Sequence, residues 1–103
     1  MKRYYVRLTE EAEADVAWIY RFVRRKSAST AVARNYIGRI RTLLKEFEVF
    51  PERGSIRDIR DGMRVVGFGR RVSIAFIVES DDVVVLRVLY AGQQFRTDED
   101  GVL

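Results

Sequence analysis

The chain has no cysteine and no histidine, and a single proline. Without cysteine there is no disulfide, no thiolate nucleophile and no zinc-thiolate site, a pattern that suits the reducing cytoplasm. Without histidine the commonest metal ligand and the commonest general acid–base are both gone. No metal ion and no cofactor is therefore expected. No apolar run approaches the ~20 residues that a bilayer-spanning helix needs. Nor is the charged start, Lys2-Arg3, followed by the apolar stretch of a secretory signal. A cytoplasmic protein without a membrane role is the expectation.

What is present is an ordinary globular balance, 48% hydrophobic and 33% charged over 103 residues. That length fits one domain spanning 1–103, able to bury roughly 60–70% of the surface its unfolded chain exposes. The polar, acidic end from about residue 92, including Asp98-Glu99-Asp100, reads as a flexible tail. The net charge of +4 is unevenly placed: residues 1–50 carry 11 Lys or Arg against 6 acids, residues 51–103 carry 8 against 9. Sixteen of the nineteen bases are Arg. Its planar fork suits carboxylate and phosphate, although a GC-rich genome alone would also enrich it.

Along the chain, Tyr4, Val6 and Leu8 alternate with Arg3, Tyr5 and Arg7, the period of a half-buried strand. Thr9 then reads as a helix N-cap, with Glu10 and Glu11 in the first turn, where the helix dipole favours anions. Ala12, Val16, Ile19, Tyr20 and Val23 recur at helical spacing, and Arg24-Arg25-Lys26 closes the helix at its favourable end for cations. Trp18 and Phe22 fall near the edge of this stripe, as a core rim. Ser27 to Thr30 is a tight turn into a second helix, whose stripe is Ala33, Tyr36, Ile37, Ile40, Leu43, Leu44 and Phe47. Pro51 ends that helix by disfavouring the helical conformation at Phe50.

From Pro51 to Gly62 the chain reads as loop. Met63 to Val66 is a short strand, and Gly67-Phe68-Gly69 the hairpin connection after it. In the next strand Val72, Ile74, Phe76 and Val78 point inward, with Arg71, Ser73, Ala75 and Ile77 outward. After a turn at Ser80-Asp81-Asp82, the last strand, Val83 to Tyr90, is the most apolar and so the most central. The plan is an α+β, two-layer β-α-α-β-β-β fold, a helical hairpin packed on an antiparallel sheet. In an up-and-down path the first strand runs opposite to the last and pairs with it. Strand parity puts Arg3, Tyr5, Arg7, Arg71, Ser73 and Arg87 on the face away from the helices, a candidate surface for an acidic partner or nucleic acid. By the same parity Tyr90 shares a side with Val84, Leu86 and Val88, pointing into the helix-packed core.

The ordered set of Leu8-Thr9, Ala14-Asp15-Val16, Ile19-Tyr20, Pro51 with Gly54, Gly62-Met63-Arg64 and Val85-Leu86-Arg87-Val88-Leu89-Tyr90 resembles toxins of the RelE/ParE superfamily, and its ParE-type branch in particular. The similarity spans about residues 4–93. It implies a bacterial toxin that forms a hetero-oligomer with a ParD-like ribbon-helix-helix antitoxin, reaching operator DNA only through that antitoxin. It implies DNA gyrase as the target in the ParE branch, or ribosome-dependent mRNA cleavage in the RelE branch. Cleavage by 2′-hydroxyl attack needs a base, an acid and cations for the developing charge. The residues able to serve are Arg64, Arg71, Arg87 and Tyr90. Arginine stays protonated and carries protons poorly. The His of the family's terminal run is Tyr90 here, followed by Ala91-Gly92-Gln93-Gln94 in place of basic residues. These departures favour a toxin that acts by binding over a nuclease, with gyrase as the target that the resemblance implies and a non-toxic antitoxin- or nucleic-acid-binding module as a further alternative.

Overall fold

Thr9 is where strand becomes helix. In the computed structural model, which describes residues 2–52, 55–56 and 62–90, β1 (Tyr5–Leu8) stops one residue before it and α1 (Glu10–Ser27) starts one residue after. The Thr9 side chain accepts from the Ala12 amide at 3.1 Å, satisfying one of the first-turn donors a helix leaves unpaired. Ala28, with φ 56, ends the helix in the left-handed region, and Ser29 caps α2 (Thr30–Glu46) by accepting from the Val32 amide at 3.1 Å. The Thr9 cap and the turn over Ser27 to Thr30 match the reading of the sequence.

Helix α2 stops four residues short of Phe50. Phe47 is fully buried, its ring 4.6 Å from that of Phe76. To keep it there the chain tightens, with the amides of Phe47, Glu48 and Val49 bonding back three residues to Leu44, Lys45 and Glu46. The tightening delivers the Glu48 carbonyl to the Tyr4 amide at 2.8 Å, tying the end of α2 to the start of β1.

The remaining elements are β2 (Ser55–Ile56), β3 (Arg64–Phe68), β4 (Val72–Glu79) and β5 (Asp82–Tyr90). They form one five-stranded sheet in the order β1-β5-β4-β3-β2. Two-residue β2 lies inside the stretch read as loop. Strand β3 runs on through Gly67 to Phe68, and the turn falls at Gly69, whose φ of 61 needs glycine's freedom. Strand β5 is interior, but the middle position belongs to β4. The tail beyond Tyr90, and Gly54 of the family-like loop, lie outside the described residues.

The sheet is mixed, not antiparallel: β1 runs parallel to β5, from Tyr5 beside Asp82 to Leu8 beside Val85. The up-and-down expectation counted each helix as one reversal. It overlooked the long segment between α2 and β3, which supplies another, so the whole helical hairpin becomes a crossover of the kind parallel strands require.

A second departure lies within β5. Ala75 pairs with Arg87 but Phe76 pairs with Val85, leaving Leu86 as an extra residue. The bulge flips the parity of everything after it. Val83 and Val85 before it, and Val88 and Tyr90 after it, all join the core under the helices with Ile19, Ile40, Phe47, Ile74 and Phe76. Tyr90 is thus in the helix-packed core as expected, yet Val84 and Leu86 are not on its side. They belong to a separate cluster on the opposite face, with Met63, Val65, Ala75 and Ile77. That face was expected to be solvated; at its centre it is apolar and buried.

Candidate functional site

Strand β1 accompanies β5 only as far as Val85. Beyond that point the edge of β5 would present unpaired backbone groups, and side chains take the place of the missing strand. The Thr9 amide donates to the Val85 carbonyl at 3.0 Å and the Thr9 hydroxyl to the Leu86 carbonyl at 2.9 Å. One turn into α1, Asp15 accepts from the Val88 amide at 2.9 Å. The same carboxylate takes the Arg87 guanidinium in a fork, Nε to Oδ2 at 2.7 Å and Nη2 to Oδ1 at 2.9 Å. Both side chains are largely shielded, 17% and 13% exposed. The hydrogen bonding that Arg87 donates to Asp15 holds its pKa above the ordinary value against the opposing effect of burial. Arg87 therefore does not lie free on the outer face, as strand parity suggested; its guanidinium turns to α1.

From the end of β5 a chain of aromatic rings runs in both directions. Phe22 and Tyr90 are 5.2 Å apart, and Trp18 stacks on Phe22 at 5.2 Å with the planes 9° apart. On the other side Tyr36 meets Tyr90 edge-on at 6.2 Å and Phe68 at 6.1 Å. Arg39 lies over the Phe68 ring, 5.3 Å from its centroid. Burial, then the neighbouring Tyr90, raises the pKa of Tyr36, while Arg39 and Arg71 pull it back. Both arginines are therefore close enough to be felt at this end of the sheet.

The residues singled out from the sequence fall in separate places. Tyr5, 75% exposed, lies on β1 with Arg7, which pairs with Asp82 at 3.6 Å; Arg3 pairs with Glu48 at 3.2 Å. Ser73 stands opposite Leu89, next to Arg71 in the β3–β4 turn, whereas Tyr5 stands opposite Asp82. Seven residues of β5 separate the two rows, roughly 23 Å at strand rise. They are two patches, not one. Of the nuclease candidates, Arg71 and Tyr90 share one end of the sheet. Arg64 sits four residues along β3 from the Phe68 row, roughly 13 Å away.

Sequence reasoning gave no site role to Asp15, Tyr36 or Arg39. For Asp15 a signal existed: a carboxylate beside Val16 on the apolar stripe, and an arginine inside the most apolar strand, each needs a partner when buried. Among the described residues no group of acids could hold a metal ion, and no helix is long and apolar enough to cross a membrane.

A family model described as "ParE toxin of type II toxin-antitoxin system, parDE" matches residues 6–95. The chain belongs to the ParE toxin family. Its fold is shared by a solved chain of the chromosomal ParDE toxin–antitoxin system from P. aeruginosa, at 20% identity and a TM-score of 0.74, covering 86% of this chain and 97% of that one. A chain of the RelBE2 toxin–antitoxin complex from Mycobacterium tuberculosis is similar at 17% identity and a TM-score of 0.55, covering 85% and 98%. A conserved hypothetical protein from Helicobacter pylori is similar at 14% identity and a TM-score of 0.52, covering 89% and 99%. No match was found among curated proteins. The ParE-family chain is thus a toxin of a type II toxin–antitoxin system.

Proposed function

We propose that this ParE-family toxin acts by binding, inhibiting DNA gyrase in the cytoplasm, and that a ParD-like ribbon-helix-helix antitoxin neutralises it in a hetero-oligomer. Operator DNA is reached only through that antitoxin. The observation that carries binding over catalysis is the state of Arg87. Of the four residues a nuclease could draw on, it is the one in the middle of the terminal strand, and its fork is committed to Asp15. Its guanidinium would have to give up a shielded, bidentate pair before it met a phosphate, an unfavourable exchange in a partly dry site. Tyr90 packs among rings, and Arg64 stands at the other end of β3. Such a surface suits a protein target better than an RNA cleavage that needs base, acid and cation within reach of one phosphate.

Induced expression with and without the adjacent small reading frame tests this. The expected result is loss of viability with a DNA-damage response, intact transcripts, and rescue by the neighbour. Cut transcripts without DNA damage would instead establish mRNA cleavage. No toxicity would leave a non-toxic antitoxin-binding module.

A further inference from the structure

On α1, Ala14, Trp18, Arg21 and Arg25 follow one another at helical spacing and are all exposed, Trp18 by 40%. Between this stripe and β5 lies an open depression of about 280 Å³, lined by Ala14, Asp15, Trp18, Arg21 and Val88. Its chemistry is lopsided. The floor is apolar, and its one carboxylate, Asp15, is already consumed by Arg87 and the Val88 amide. The remaining charge along it is positive: Arg21 in the lining, then Arg25 one turn further on the same stripe. The Trp18 ring is held against Phe22 and Tyr90, at 5.2 and 6.4 Å, so a ligand finds it already oriented and loses little entropy in ordering it.

We infer that this depression is a docking site for an acidic protein segment carrying a single apolar anchor. The anchor seats on Trp18 and Ala14, and the carboxylates point along α1 towards Arg21 and Arg25. Charge complementarity decides the occupant: the rim offers guanidiniums, which suit carboxylates in a bidentate manner, and the floor accepts one apolar side chain. That the segment belongs to the neutralising antitoxin rests on the function proposed above; the chemistry of the surface does not.

Trp18 is the only tryptophan in the chain, so its emission reports on its own surroundings. The experiment titrates the whole protein with a short synthetic peptide of one leucine among four glutamates, and compares the same peptide with glutamine for glutamate, and a twelve-nucleotide oligo-dT. The expected result is a saturable blue shift with the acidic peptide. Affinity falls tenfold or more for the glutamine peptide, and by a similar factor for Arg21→Glu, whose fold is checked by circular dichroism. Unchanged emission, equal affinity for the two peptides, equal affinity of Arg21→Glu, or tighter binding of oligo-dT would each overturn the proposal. Expression that is toxic but not rescued by the neighbouring frame would end the antitoxin reading while leaving the peptide result intact.

Discussion

Asp15 holds together groups from three places: its own helix, the Arg87 side chain and the Val88 backbone. Asp15→Ala should cost roughly 2–4 kcal/mol in denaturant unfolding, because a shielded guanidinium and a backbone amide both lose their acceptor. Asp15→Asn keeps one acceptor oxygen and should cost less. Adding Arg87→Met to Asp15→Ala removes the stranded charge, so the double variant should be more stable than the sum of the single effects by about 1 kcal/mol or more. Additive effects would mean the pair is not coupled. Tyr36 gives a residue-scale prediction in pH. Its pKa is raised in the fold above the ordinary 10.0, chiefly by burial. The folded state then holds this proton more tightly than the unfolded chain does. The stability it contributes is complete below pH 10 and is lost as pH rises through the folded value. Tyr36→Phe should therefore flatten the alkaline fall in stability without removing it. A fall identical to that of the unaltered protein would show that Tyr36 does not cause it.

At the scale of elements, Thr9 shows what a sequence discloses. Its place before Glu10 and Glu11 announced a cap, and the cap is there. Its second bond, to the Leu86 carbonyl, was not legible, because nothing local says that a bulge will bring that carbonyl to the edge of the sheet. The two bonds predict that Thr9→Val, similar in shape but without the hydroxyl, loses roughly 1–2 kcal/mol, while Thr9→Ser retains most of the stability. Thermal unfolding of the three proteins checks this; a loss in Thr9→Ser without one in Thr9→Val would assign the role to the methyl group instead. The helices were legible because their stripes, caps and terminal charges agree. The direction of β1 was not, since it depends on the path of a segment with no period of its own. The parity of β5 up to Leu86 failed for a related reason, while Val88 and Tyr90 beyond it face the helices as expected. Valines and leucines fill both faces of that strand, and its one interior polar residue, Arg87, turns its guanidinium to α1, so the sequence does not mark where the alternation slips.

The ambiguity of β5 reflects how the whole molecule is built: the sheet is covered on one side by the helical hairpin and carries a second buried cluster on the other. Both faces are apolar where β4 and β5 meet, which is why their sequences read as continuous hydrophobic runs. The functional surface was legible only in part for the same reason. Arg71 and Tyr90 were named and do share one end of the sheet, but the six-residue face was assembled on the assumption of a polar outer side, and the structure divides it between the two ends of β5 and turns Arg87 to α1. Ile77 distinguishes the two pictures. On an outward, solvated face its replacement by aspartate would change stability by less than about 0.5 kcal/mol, as surface substitutions do. In the structure it is 7% exposed among Met63, Val65, Ala75 and Val84, with no described cation beside it in that cluster. A carboxylate there must either stay charged without a partner or take up a proton, and either course is costly. Ile77→Asp should therefore destabilise the protein by roughly 2–5 kcal/mol, and more at neutral pH than at pH 4, where protonation relieves part of the cost. Ser73→Asp, half-buried on the same strand near its end, is the control and should cost less. If both variants unfold with the unaltered protein, the outer cluster is not part of the packed interior.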